Sequence, residues 1–232
     1  MKLSIVVPVY NEETTIGEVI KKIQEVKLPK AIKKEIIVID DGSTDKSPQI
    51  IEAIKKEDRK IISYISIINL GKGAAVRFGF KFSSGDIILI QDADLELDPN
   101  DYPKLISPIL DGETEVVYGS RFMSRNPNIP LDSRIANQSL SLMASILYGQ
   151  RLTDMETAYK VMTRKVLDKI RNRLRSVEFT IEPEITARII QAGYKIKEVP
   201  IGFNPRSKAA GKKASFKDAV EAMIALVKCR LY

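Results

Sequence analysis

The run Asp92-Ala93-Asp94, with Glu96 two residues further on, sets three carboxylates close together directly after the apolar stretch Ile87-Ile88-Leu89-Ile90. Carboxylates at i and i+2 in a turn that ends a buried strand can converge on one cation. A divalent cation there can bridge to a diphosphate and neutralise charge on a leaving group. The same spacing also closes strands as a plain polar turn, so the preceding apolar run gives it its weight. Asp40-Asp41-Gly42-Ser43-Thr44-Asp45 repeats the arrangement after the apolar run at 35–39. An acidic residue there can accept hydrogen bonds from a ribose or a base edge, and Thr44 or Asp45 can cap the next helix. Asn69-Leu70-Gly71-Lys72-Gly73 lacks the spacing of a phosphate-binding loop and reads as helix capping and packing. Later in the chain Arg121, Arg134, Arg206, Lys208, Lys212 and Lys213 offer cations that match phosphate geometry, or a solvated basic face.

Composition removes several chemistries. The 232 residues contain no histidine, which excludes a Ser-His-Asp triad, a histidine base and histidine-ligated zinc. Any metal must be held by oxygen, which favours Mg²⁺ or Mn²⁺. Cys229, the single cysteine, has no partner for an internal disulfide, which fits a reducing cytoplasm. A net charge of +7 points to nucleic acid, anionic membrane or phosphorylated substrates. Only 6% of residues are aromatic and no stacking motif is visible, which argues against nucleic acid. No stretch reaches the roughly 20 apolar residues of a spanning helix. The apolar start at 3–10 contains Pro8 and lacks a cleavage site, so it reads as a first strand and not a signal peptide.

These residues need elements to hold them. Strands are predicted at 3–7, 35–39, 61–68 and 87–90, with helices at 11–26, 47–56 and 73–82 between them. Such alternation predicts an α/β fold with a mostly parallel sheet flanked by helices, and ligands outside the carboxyl ends of its strands. Tyr10, Glu12, Asp41, Asp92 and Asp94 all fall at those ends. The second half predicts a strand at 116–118, helices at 133–148 and 182–191, a strand at 194–200, a basic loop at 206–213 and a helix at 217–231. The helices at 133–148 and 217–231 are amphipathic. Val220, Met223, Ile224 and Val227 share one side of the last, with Lys217, Lys228 and Arg230 available to anionic headgroups. No linker is evident, so 1–232 reads as a single domain.

Taken together these motifs resemble the family 2 glycosyltransferases of GT-A (Rossmann-like) fold. Val6-Val7-Pro8-Val9-Tyr10-Asn11-Glu12-Glu13, the Asp40–Asp45 run and Gln91-Asp92-Ala93-Asp94-Leu95 are similar to that family's motifs in order and spacing. Gly119-Ser120-Arg121, the 152–160 stretch around Asp154, Phe179-Thr180-Ile181-Glu182-Pro183-Glu184 and Glu198-Val199-Pro200-Ile201 resemble its polyprenyl-phosphate branch, which includes dolichyl-phosphate mannose synthase and bacterial relatives. The resemblance implies that 1–120 binds the nucleotide sugar and metal and 121–232 the acceptor. It implies a nucleotide-sugar site of Pro8, Tyr10, Glu12, Ile39, Asp41, Asp92, Ala93, Asp94, Arg121 and Lys213. Asp92, Asp94 and Glu96 would hold Mg²⁺ or Mn²⁺. Arg121, Arg134 and Arg206 would face an acceptor phosphate, and Asp94, Arg121 and Asp154 would be catalytic. The implied reaction is inverting transfer of a hexose to polyprenyl or dolichyl phosphate, with GDP-mannose favoured over UDP-glucose as donor. A hydroxyl acceptor would instead need a carboxylate base, Asp154 or Glu156. A processive polysaccharide synthase is disfavoured, because its Gln-x-x-Arg-Trp motif needs a tryptophan that this chain lacks. An inactive nucleotide-binding module is the non-enzymatic alternative. The implied location is peripheral, at the cytoplasmic face of the membrane, with a homo-oligomer as a possible assembly.

Overall fold

The computed structural model describes residues 1–232 except 30, 31, 125, 127, 128, 206–215 and 232, together with the side chains at 132 and 216–218. In β1 (Lys2–Val9) alternate side chains face opposite sides of the sheet. Leu3, Ile5, Val7 and Val9 enter one core, and Val6 enters another. A strand apolar on both faces must be covered on both, and the helices do this. Helices α1 (Ile16–Glu25), α2 (Ser47–Glu57) and α4 (Tyr102–Leu110) cover the first face. Helices α3 (Lys72–Phe82), α6 (Arg164–Ile170) and α7 (Ile181–Gln191) cover the second.

The other strands are β2 (Lys33–Asp40), β3 (Ile61–Ile65), β4 (Ile87–Ile90), β5 (Val116–Ser120), β6 (Lys160–Thr163) and β7 (Ile196–Pro200). Their order across the sheet is β3-β2-β1-β4-β6-β5-β7. β6 pairs antiparallel with both β4 and β5, and every other pairing is parallel. The chain moves outward from β1 to β2 and β3, then returns to place β4 on the other side of β1. That reversal opens a crevice beyond the carboxyl ends of β1 and β4. The expected α/β fold with a mostly parallel sheet is therefore observed.

Three elements escaped the sequence reading. Pro103 and Pro108 lie in α4 and break its helical signature, although the first stands at the helix start, where proline is tolerated. β6 and α6 follow one another without a turn signal, and β6 is only four residues long. Three predicted elements are shorter than expected, one of them β7, which starts at Ile196 and not Tyr194. β3 stops at Ile65 because Ser66 turns the chain, its hydroxyl bonding the Ile68 carbonyl at 2.6 Å. α1 starts at Ile16 and not Asn11, because Asn11 adopts φ 52° and is tied to the next strand-end loop.

Helices α5 (Leu131–Tyr148) and α8 (Phe216–Leu231) pack on one another through Leu140, Ala144, Ala222 and Leu226. α8 is also fastened to α7, where Gln191 Nε2 donates to the Cys229 carbonyl at 2.5 Å. The amphipathic reading needs one correction. Met223 lies partly buried against the α5 contact, while Val220, Ile224, Val227 and Leu231 form the exposed side. On α5, Leu131, Ile135, Leu142 and Ile146 are exposed. No helix among the described residues is long and apolar enough to cross a membrane.

Candidate active site

The loops after β1 and β2 are laced together by the acidic motif. Asn11 Oδ1 accepts from the Thr44 amide at 2.8 Å, and the Ser43 hydroxyl accepts from the Asn11 amide at 2.9 Å. Asp45 accepts from the Glu13 and Ser47 amides at 3.0 and 2.9 Å, so it ties the first loop to the start of α2. Gly42 has φ +74°, and a side chain there would strike the Ile68 backbone.

Asp41 is committed to the next loop. Its two oxygens accept from the Leu70 amide at 3.0 Å and the Gly71 amide at 2.7 Å. Burial raises its pKa, and those two amides oppose the rise. The Asn69–Gly73 stretch thus serves as a helix start, held by Asp41 and seated on residues 176–178, where Ala74 N donates to the Val177 carbonyl.

A cavity of about 700 Å³ opens at the sheet crevice. Pro8, Tyr10, Glu12, Asp41, Asp92, Ala93, Asp94, Glu96 and Arg121 all line it. Asn137 and Leu140 of α5 and Ala219 of α8 contribute to another wall. Ile39 is not brought to it. In the β2 register Ile37 and Ile39 face α3, so Ile39 lies 5% exposed in the second core. Arg134 is exposed on α5 and is not among the lining residues. Arg206 and Lys213, with Lys208 and Lys212, lie outside the described residues.

Arg121 follows β5 and meets Asp154 in a forked pair. Nε donates to Oδ2 and Nη2 to Oδ1, both at 2.7 Å, and the Arg121 amide donates to Oδ2 at 2.9 Å. Asp154 is fully buried. Burial works against the Arg121 charge, but Asp154 beside it prevails and raises its pKa. The guanidinium also lies 5.2 Å from the Phe203 ring centroid. The loop carrying Asp154 is pinned by Glu198 of β7, which accepts from the Thr153 and Asp154 amides at 2.8 and 2.9 Å.

Glu156 lines the same cavity, and its Oε1 is buried without a hydrogen-bond partner among the described residues. Burial pushes its pKa up to about 7; Lys160 opposes this and Glu182 reinforces it.

Among the described residues no group of three or more acidic, histidine or cysteine side chains is gathered as a ready metal cage. Asp92 instead faces an ammonium, since Lys72 Nζ lies 2.8 Å from Oδ1 and 3.0 Å from Oδ2. Lys72 also reaches Glu182 at 3.0 Å, and Glu182 in turn receives the fully buried Lys160 at 2.6 Å. Asp94 Oδ1 accepts from the Glu96 amide at 3.2 Å, turning the chain directly under the cavity. Asp92 and Asp94 nevertheless share one cavity and offer only hard oxygen donors, which suits a divalent cation of the Mg²⁺ or Mn²⁺ type. Sequence reasoning did not single out the Lys72–Glu182–Lys160 chain, because its members come from α3, α7 and β6. The only sequence signal was a set of charged residues inside otherwise apolar or glycine-rich runs.

The glycosyl transferase family 2 model matches residues 4–171. An uncharacterized protein of Methanocaldococcus jannaschii is 34% identical over 86% of this chain and 80% of its own length. The undecaprenyl-phosphate 4-deoxy-4-formamido-L-arabinose transferase of Salmonella choleraesuis is 30% identical over 98% of this chain and 67% of its own. Glycosyltransferase AglD of Haloferax volcanii is 27% identical over 89% of this chain, which spans only 34% of that protein. Among solved structures, glucosyl-3-phosphoglycerate synthase of Mycobacterium tuberculosis, in complex with Mn²⁺, UDP and phosphoglyceric acid, superposes with a TM-score of 0.73. It covers 99% of this chain and 78% of that one, and at 22% identity it establishes a shared glycosyltransferase fold.

Proposed function

The chain belongs to glycosyl transferase family 2, and from that premise we propose that it transfers a hexose from a nucleotide sugar to a polyprenyl phosphate at a membrane surface. The observation that carries this reading is the shared cavity. It joins the Asp92 and Asp94 carboxylates and the Arg121 guanidinium to a wall built from α5 and α8, the two helices with exposed apolar stripes. A lipid lying along those helices would bring its phosphate to Arg121. The Salmonella relative, whose name states undecaprenyl phosphate, supports an acceptor of this class.

Pro8, Tyr10 and Glu12 would border the nucleoside, with Asp41 fixing the loop beneath it. Asp92 and Asp94 would hold a divalent cation, and the Mn²⁺ in the fold neighbour supports this. When bound, such an ion neutralises the departing diphosphate. Arg121 would hold the acceptor phosphate in a forked contact, and Asp154 would keep the guanidinium aimed into the cavity. A phosphate is already ionised at neutral pH, so its oxygen attacks the anomeric carbon without a strong base, and the configuration inverts. This suits a chain without histidine. GDP-mannose is the favoured donor, with UDP-glucose second.

A second reading, transfer to a hydroxyl, is supported by Glu156. Its Oε1 is buried in the cavity without a hydrogen-bond partner among the described residues, and its pKa is pushed up to about 7, suited to a general base near neutrality. Asp154 is less suited, since both of its oxygens are engaged by Arg121.

The test is incubation with radiolabelled GDP-mannose or UDP-glucose, a short polyprenyl phosphate and Mn²⁺, with EDTA and Asp94→Ala controls. Label entering the organic phase only with metal and intact Asp94 is the expected result. Label confined to a water-soluble glycoside would transfer support to the hydroxyl reading.

A further inference from the structure

Lys72 has a fixed root, and its ammonium lies between two carboxylates. It is the first residue of α3, directly after Gly71, whose amide is held at 2.7 Å by Asp41. From that root a flexible four-carbon stem carries the ammonium to three carboxylate oxygens, two on Asp92 and one on Glu182. The two acceptors differ. Glu182 is a stationary post, because its second oxygen receives Lys160 Nζ at 2.6 Å, and that ammonium is itself anchored on the Met155 and Thr157 carbonyls. The Asp92 side chain, 27% exposed at the cavity, has only Lys72 as a partner among the described residues.

Both Asp92 oxygens are therefore engaged by an ammonium. A divalent ion on the same carboxylate would meet that positive charge at close range, so the two cations oppose one another there. We propose that Lys72 is an exchangeable cation. It neutralises Asp92 while no divalent ion is bound, and when one arrives it pivots on Glu182 toward the anionic donor. This rests on the reading of Asp92 as a metal ligand. Lys72 would thus be a positioning residue that keeps Asp92 ordered without metal and couples metal arrival to donor binding.

The experiment is Mn²⁺ binding to the full chain without nucleotide, followed by the electron paramagnetic resonance signal of free Mn²⁺. Lys72→Met removes the competing charge and is expected to tighten Mn²⁺ binding by about tenfold. Lys72→Gln, which keeps a hydrogen-bonding group for Glu182, is expected to tighten it likewise and guards against misfolding of the first variant. Lys72→Arg retains the charge and should stay close to wild type. Unchanged or weaker Mn²⁺ binding in folded Lys72→Met and Lys72→Gln would overturn the exchange. Asp92→Asn tests the underlying reading separately: undiminished Mn²⁺ binding in that variant would remove Asp92 as a ligand whatever Lys72 does.

Discussion

Arg121 and Asp154, 33 positions apart, are joined by three hydrogen bonds, two from the guanidinium and one from the Arg121 amide. The fork fixes the guanidinium plane at the cavity, and the backbone contact ties the end of β5 to the loop before β6. Asp154→Ala leaves Arg121 without its counter-charge and is expected to cost about 3 kcal/mol of stability, read by urea unfolding. Transfer activity should fall as far in Asp154→Ala as in Arg121→Ala, and the double variant should add little to either. Additive losses would show that the two residues act separately.

Glu156 makes stability depend on pH. Its folded pKa of about 7 stands above its ordinary value of 4.5, so the folded state binds this proton more tightly than the unfolded chain does. The contribution favours the fold below the ordinary range and is lost progressively as pH rises toward 7. Glu156→Gln cannot ionise and escapes this loss. Thermal melts of the two proteins should diverge between about pH 5 and about pH 8, with the variant gaining on wild type at the higher pH. Parallel melting curves would contradict the assignment.

Gly71 adopts φ +95°, and a side chain there would strike the Val177 carbonyl and the Glu178 side chain. Gly71→Ala should cost about 2 kcal/mol or more through strain and displacement. The α3 start carries Lys72, so nucleotide-sugar binding should weaken together with the melting temperature. Isothermal titration and a thermal melt on the same preparation check both.

Ile146 of α5 is 74% exposed and Ile224 of α8 is 47% exposed. Replacing both with glutamate removes apolar area and adds negative charge on the face proposed to meet lipid. Flotation with anionic vesicles should show binding weakened by at least about tenfold. Stability should change by less than about 1 kcal/mol, since neither residue is in the core. Unaltered flotation would place the membrane contact elsewhere.

Much of the cavity lining was legible because buried parallel strands announce their carboxyl ends. An apolar run that stops at Asp40-Asp41 or Asp92-Ala93-Asp94 marks a residue at the crevice. The limits were physical. Ile39 could not be assigned to a face until the β2 register was known, because neighbouring strand residues point oppositely. The reversed strand β6 is too short to show a period, yet it supplies Lys160, and α4 is masked by its prolines. The partnership of Lys72, Glu182 and Lys160 arises from topology alone, since no local spacing relates three elements spread over nearly half of the chain. Asp41 was legible as a residue at the crevice, but its commitment to the Leu70 and Gly71 amides became visible only with the loop in place.

In the proposed reaction a lipid phosphate oxygen is the nucleophile. The most direct measurement is phosphorus NMR on the organic-phase product formed from a nucleotide sugar and a short polyprenyl phosphate. The lipid monophosphate resonance should be replaced by that of a sugar phosphodiester, and Arg121→Ala should abolish the change. An unaltered lipid monophosphate, with the sugar recovered on a hydroxyl compound, would contradict this reaction.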